Sequence, residues 1–381
     1  MRPPVITLKE EENLEIYNEN GSMEPEVVET IKETDKKCPA CGGVMDFSPS
    51  TGKMLCPYCG TEEEILVEEE HFEAQELDFE QAEDTVSCDW GTATKAVICK
   101  SCGAQTVYDV NEIANECPYC GSNQVMEAGD SQVMAPGGVV VFKLDAKEAS
   151  ARFKNWIDRK FFCPKLAKES AKPRSFKGIY VPFWTYDANT FSSYTGQYGK
   201  TRQYRDRDGN VKSRTDWYGT RGYLRFSFDD VLVCGSSQQN EQMLRGIEPF
   251  DTKDVKAYRP EYLAGFAAER YTVKMKEAWE TARNKMKNIL QNEVESKIRM
   301  EHNTTQVRMV NVQTSYRNIT YKYLLLPVWI SSFQYNGKVY RFVINGQTGK
   351  VSGQTPISWP KVLLAIAAAI AVFMLLNAMM G

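Results

Sequence analysis

Histidine is almost absent from this chain: His71 and His302 are the only two among 381 residues. Both sit in polar stretches expected to be exposed, so a Ser/His/Asp or Cys/His catalytic arrangement lacks an obvious base. A phosphate-binding loop is missing as well. Gly199-Lys200-Thr201 imitates the end of one, but Tyr194 stands where the leading glycine belongs and Gly196 comes two residues late. The segment reads as a strand, and a motor ATPase is disfavoured. Before the C-terminal tail no apolar run is long enough to span a membrane, and Met1–Gly21 is polar and acidic rather than a signal peptide. Lys and Arg are missing from residues 61–90, which hold 13 Asp and Glu.

With 42% hydrophobic and 25% charged residues the composition is that of globular protein and excludes wholesale disorder, and the length suits about two or three domains. A net charge of −4 conceals two opposite halves. Residues 1–136 carry 8 Lys and Arg against 29 Asp and Glu, net −21, and the remainder is net +17. Residues 1–37 read as an acidic mobile arm.

Eight of the eleven cysteines form four C-x-x-C pairs, each followed by glycine. Cys38 and Cys41 are followed after 14 residues by Cys56 and Cys59. Cys99 and Cys102 are followed, again after 14, by Cys117 and Cys120, so the second set repeats the first at an offset of 61 residues. Thiols at this spacing share one tight knuckle, and a glycine after it permits the positive φ that turns backbone N–H groups towards the sulfurs. Two knuckles make a four-cysteine site. The expectation is two zinc ribbons, 38–60 and 95–125, holding two structural Zn2+ ions, with iron the rival metal. A site closed by four thiolates has no open position for substrate, so the metal is read as structural, and reduced thiols point to the cytoplasm. Cys88, Cys163 and Cys234 are left over and are expected to be buried or free thiols.

From Val362 to Met380 the chain is uncharged and apolar on every side, and its 19 residues as a helix would span about 28 Å. Trp359, Pro360 and Lys361 precede it as an interfacial aromatic, a helix-start proline and a positive flank. A single transmembrane helix over 361–380 follows, with the bulk of the chain at the cytoplasmic face of the inner membrane.

Between these lies a basic region, 137–358, expected to be an α+β domain built on an antiparallel sheet, with an acidic linker at 61–94. Val139–Phe142 reads as a strand and Ala146–Phe161 as an amphipathic helix with Phe153, Trp156 and Ile157 on one side. Period-two patterning runs from Ile179 to Val233 with a turn at Asp208-Gly209, Ala267–Met300 contains long helical runs around Met275, Trp279 and Met286, and Val307–Val351 returns to strands with turns at Asn336-Gly337 and Asn345-Gly346. Tyr180–Trp184 and Leu325–Trp329 look alike, which leaves an internal duplication open, with core packing the preferred reading for both. Asp187, Asp229, Asp230, Glu248 and Asp251 lie near aromatic segments, but solvated loop acids are the commoner case. Arg202, Arg205, Arg207, Lys212, Arg214, Arg221 and Arg225 interleave with Tyr204, Trp217, Tyr218 and Tyr223. That pattern could bind nucleic acid. The acidic ribbon half argues against it, because its charge would repel phosphates, and a membrane-facing or solvated surface is preferred.

These residues resemble a family. C-P-A-C-G from Cys38, C-P-Y-C-G from Cys56 and Cys117, G-I-Y-V-P-F-W-T-Y-D-A from Gly178, I-E-P-F-D from Ile247, Y-L-A-G-F-A-A-E-R-Y from Tyr262, L-L-P-V-W from Leu325 and N-G-Q-T-G-K-V from Asn345 are similar to segments of bacterial, membrane-anchored double-zinc-ribbon proteins. Those proteins occur beside phage-shock protein A and stomatin/flotillin-type proteins and are often labelled zinc-ribbon or primosomal helicase-like. The resemblance implies a membrane scaffold or recruitment factor in envelope maintenance, with partners of the phage-shock protein A or stomatin/flotillin type. It carries over the eight cysteine ligands and no catalytic residue. The expected function is therefore a non-enzymatic, tail-anchored zinc-ribbon adaptor, the alternative being a membrane-tethered nucleic-acid-binding protein linked to replication or repair.

Overall fold

The computed structural model of the chain describes residues 37–65, 72, 74–80, 94–99, 105–109, 125–127, 136–171, 176–205, 207, 209–237 and 239–380. The arm expected at 1–37 lies outside these residues, apart from Lys37.

The first cysteine segment is a small three-stranded antiparallel sheet: β1 (Asp46–Ser48), β2 (Lys53–Leu55) and β3 (Glu62–Glu63). Downstream, β4 (Leu77–Asp78) pairs with a strand more than two hundred residues away. Among its described residues the acidic stretch 61–94 thus enters the sheets through β3, through β4 and at its last residue, Thr94. β5 (Thr94–Cys99), β6 (Gln105–Asp109) and β7 (Val125–Glu127) are antiparallel around the second cysteine segment. The backbone pairing Lys37 with Val44 recurs at the 61-residue offset as Ile98 with Gln105.

The body begins with β8 (Gly138–Val140), α1 (Ala146–Asp158), α2 (Lys165–Ser170) and the 29-residue β9 (Lys177–Arg205), followed by β10 (Val211–Phe228), β11 (Val233–Cys234) and α3 (Glu241–Ile247). β12 (Val255–Lys256), β13 (Ala267–Glu269), the 28-residue α4 (Met275–His302) and the 30-residue β14 (Gln306–Tyr335) come next, then β15 (Lys338–Asn345), β16 (Val351–Gly353) and α5 (Trp359–Met380). This is the α+β architecture with antiparallel sheet that the patterning predicts. Ala267–Glu269 is a strand rather than part of the helical run.

β9 and β14 pair antiparallel along almost their whole length. Strict alternation sorts their side chains. Tyr180, Trp184, Tyr186, Tyr323, Leu325 and Trp329 face α1 and α4, whereas Ile179, Val181, Phe183, Leu324, Leu326 and Val328 face α3. The result is three layers with one sheet between two apolar cores. Beyond the body, β9, β10 and β14 continue as an arm. α4 lies along it, burying Met286, Leu290, Val294 and Ile298 at four-residue spacing, and ends at Asn303 in the left-handed conformation that closes a helix. Register shifts at Arg308/Asn311 and Arg317/Thr320 coincide with positive φ at Met309 and Asn318, marking bulges that bend the long strand.

The body is built from two halves of like architecture. β8, α1, β9 and β10 in the first half correspond to β13, α4, β14 and β15 in the second. The short strands are exchanged: β8 runs parallel to β14 (Val139 opposite Leu325), and β13 parallel to β9 (Ala268 opposite Tyr180). Trp184 Nε1 donates to the carbonyl of Val273 at 2.9 Å, and Trp329 Nε1 to that of Leu144 at 3.0 Å, in each case the residue two before the other half's helix. Gly235 N donates to Pro182 O and Gly346 N to Pro327 O, both at 2.8 Å. A side chain at Gly346 would collide with the Phe142 ring, its Cβ 2.5 Å from the nearest ring carbon, so glycine is required there by close approach. The likeness of Tyr180–Trp184 and Leu325–Trp329 is therefore repeated architecture as well as core packing.

Candidate metal centre

Two chain reversals build the first cysteine site. Gly42 N donates to Cys38 O at 2.8 Å and Gly60 N to Cys56 O at 2.9 Å, and both glycines hold φ near that of a left-handed turn, +73° and +75°. The sulfurs of Cys38, Cys41, Cys56 and Cys59 lie within 4.8 Å of one another, with Cys38 to Cys59 at 3.4 Å and Cys41 to Cys56 at 3.5 Å. A tetrahedral ion with metal–sulfur bonds of about 2.3 Å needs sulfurs about 3.8 Å apart, so the four residues fit one. Thr61 Oγ1 lies 3.1 Å from Cys59 Sγ, and its hydroxyl and N–H draw that thiol down to about 6. Cys41 goes the other way, to about 12: the Gly43 N–H favours its thiolate, but the Cys59 and Cys56 sulfurs outweigh it. Four crowded sulfurs cannot all ionise without a cation between them, which is the electrostatic reason for such a site to hold a metal.

Cys38 and Cys56 are buried, while Cys41 and Cys59 face solvent. The buried side is continuous with the body. Phe47 meets Tyr262 edge-on at 5.6 Å and Phe266 at 6.4 Å, its N–H donates to Ala264 O at 3.0 Å, and Met45 and Met54 join the same core. Tyr58, at the opposite tip, is 78% exposed. In the second segment Cys99 ends β5 opposite Val125. Cys102, Cys117 and Cys120 lie outside the described residues, as do Cys88 and His71.

The other sequence candidates are dispersed. Cys163 is buried and its thiol is pushed up by burial, and Cys234 is pushed up to about 12 by the same cause. His302 is not fully exposed as expected: its ring stacks on Tyr198 at 3.8 Å and Nε2 meets Thr220 Oγ1 at 3.1 Å. Asp187, Asp229 and Asp230 converge, but the Lys322 ammonium stands 3.6 Å from Asp187 and 2.9 Å from Asp230, with Glu76 at 3.4 Å. Burial raises Asp187, opposed by the Asp230 N–H and by Lys322. Burial acts to lower Lys322, and the carboxylates, Asp230 first, more than reverse it. Glu248 is raised by burial, and Lys285, 3.9 Å away and donating to Leu232 O, is lowered by it. Asp251 accepts from Lys253 N and donates its own N–H to Gln347.

Sequence reasoning missed Glu269, wholly buried and bonded by Ser236 and Gln239. Its signal was a charged pair, Glu269-Arg270, at the end of the apolar run Leu263–Ala268. Arg202, Arg214 and Asp216 form ion pairs on the arm, where Arg308 lies 3.8 Å over Trp217. Gly199-Lys200-Thr201 is inside β9.

α5 contains a 20-residue span, Trp359–Ala378, long and apolar enough to cross a membrane, none of it buried. No family model and no solved structure matches the chain. It is similar to a Bacillus subtilis (strain 168) protein, "Uncharacterized protein YdjG", with 28% identity over 327 residues, 86% of this chain and 91% of that one.

Proposed function

We propose that the chain is a non-enzymatic, membrane-anchored adaptor. Zn2+ occupies Cys38, Cys41, Cys56 and Cys59, and a second Zn2+ occupies Cys99, Cys102, Cys117 and Cys120. α5 spans the inner membrane once and the rest of the chain stands in the cytoplasm. The observation that carries this reading is the two-sided first ribbon. Its apolar side is sealed into the body by Phe47, and its tip offers Tyr58 and two solvent-facing thiolates to a partner. A closed thiolate site gives shape rather than catalysis. Partners of the phage-shock protein A or stomatin/flotillin type follow from the family resemblance.

In-cell crosslinking of the full-length protein with mass spectrometry tests it. Crosslinks from 38–127 to one or a few proteins are expected, weakened by Tyr58→Asp, which leaves the cysteines untouched. Recovery of no protein partner, or of fewer than two zinc equivalents after anaerobic purification, would overturn the reading.

A second reading rests on the arm, where exposed Tyr204, Tyr218 and Tyr223 stand among Arg202, Arg214 and Arg225. Aromatic faces between cations suit single-stranded nucleic acid. Salt-dependent retention of RNA or DNA by the full-length protein, lost in Arg202→Glu/Arg214→Glu, would favour it over the adaptor.

A further inference from the structure

The start of α5 is tied to the loop between α1 and α2. Ser358 N donates to Phe162 O at 2.8 Å, and Lys361 Nζ donates to Phe161 O at 3.0 Å and to Cys163 O at 2.9 Å. That loop is therefore held at the level of the first turn of α5. The loop and the start of α2 are also unusually apolar for a surface: Phe161 is 67% and Leu166 of α2 is 69% exposed, as are Phe162, Ile357 and Trp359 in part. Clustered aromatics at the head of an apolar helix suit the boundary between headgroups and acyl chains.

Next to Phe161 in sequence, the end of α1 with Arg159 and Lys160, together with the turn between β15 and β16, borders an open cavity of about 400 Å³ lined by Arg152, Trp156, Arg159, Lys160, Gly349 and Lys350. No acid lines it. Among the described residues no carboxylate pairs with Arg152, Arg159 or Lys160. Lys160 instead lies 4.7 Å over the Trp156 ring, and Lys350 reaches the carbonyl of Glu248. Gly349 has φ +74°, and a Cβ there would come within 2.9 Å of Arg152 Nε, so this glycine lets the guanidinium lie across the turn. Lys154, on the same helix, is by contrast paired with Asp158 at 3.3 Å. Three cations, Arg152, Arg159 and Lys160, gathered without a paired carboxylate, with Lys350 beside them and partly drawn to Glu248, are poised for an anion.

We infer that this cavity binds the phosphate of an anionic phospholipid whose acyl chains lie beside Phe161 and Phe162. The site rests on α5 being a membrane span, and it deepens that reading: the body is clasped to the bilayer at a second point and oriented there. Arginine forks hold the phosphate oxygens, Lys160 and Lys350 add charge, and the aromatic rim sets the depth.

The test uses full-length protein in nanodiscs of phosphatidylcholine with or without phosphatidylglycerol, with retained lipids counted by native mass spectrometry. Wild type should keep phosphatidylglycerol in preference to phosphatidylcholine. Arg152→Gln/Arg159→Gln should lower that affinity about 30-fold, at about fivefold per cation near an anionic surface. Arg283→Gln/Lys287→Gln on the exposed face of α4 removes equal charge and should leave it unchanged. Equal loss in both variants, retention by the cavity variant, or displacement of the lipid by inorganic phosphate would overturn the site while leaving the anchor standing. Failure of the protein to enter nanodiscs at all would overturn both.

Discussion

Phe47→Ala probes whether the first cysteine segment is a part of the body or a bead on a string. The ring is 3% exposed and is held between Tyr262 and Phe266. Truncating a buried phenylalanine costs about 3–5 kcal/mol, the transfer loss plus the cavity left behind. Because this ring lies at the seam, the cost should fall on docking rather than on the centre of the fold. Opening of the seam then becomes easier by about two to three and a half decades, at about 1.4 kcal/mol per decade. Hydrogen exchange read by mass spectrometry on full-length protein, with metal content measured in parallel, resolves it. Amides of Met45–Phe47 and Tyr262–Phe266 should exchange faster by that factor, while the Met286–Ile298 stretch of α4 keeps its protection and the cysteine site keeps its metal. Unchanged exchange at Tyr262–Phe266 would refute the docking. So would equal acceleration in α4, which would mean the whole fold had been weakened.

Lys322→Met leaves the half-buried Asp187 and Asp230 without their cation, and stability at neutral pH should fall by about 3–5 kcal/mol. Asp187 already sits above the ordinary carboxylate range through burial and rises further without the ammonium. A group raised in the folded state adds stability as pH falls through its folded value towards its unfolded one, so the variant's deficit should shrink as pH falls from neutral towards the ordinary carboxylate range. Urea midpoints that fall in parallel with wild type over that range would contradict this. Trp184→Phe and Trp329→Phe each remove the donor to one carbonyl, the part-buried one of Val273 or the buried one of Leu144, and should cost about 1 kcal/mol and about 1–3 kcal/mol respectively in urea denaturation. A silent change at either tryptophan would break the proposed equivalence of the halves. Deleting Trp359–Gly381 should move the protein from the carbonate-washed membrane pellet to the supernatant, and persistence in the pellet would rule out α5 as the anchor.

Much of the fold was legible because its signals are local. Asn336-Gly337, with φ +48° and +73°, makes the tight hairpin that the pair predicts. Asp145 and Glu148 cap α1 reciprocally, and apolar residues recur along α4 at the spacing that buries one stripe. The cysteine site was legible for the same reason, since each knuckle is a few residues long. What the sequence hid was non-local. Nothing in Gly138–Val140 says that its partner is Leu324 and Leu325, and a three-residue strand such as Ala267–Glu269 is lost beside a 28-residue helix. The seam through Phe47 and the cavity beside Arg152 both arise from segments that meet only after folding, so periodicity carries no trace of them.

The exchanged short strands have a consequence for how the molecule comes apart. Each half lends the other a strand and receives a tryptophan clasp in return, across sequence separations of 89 and 185 residues. A nick in the connection between them would leave two fragments holding one another like linked hands. The first half, synthesised alone, would meet no such grip, and its exposed strand edges would stay open to whatever neighbour arrived.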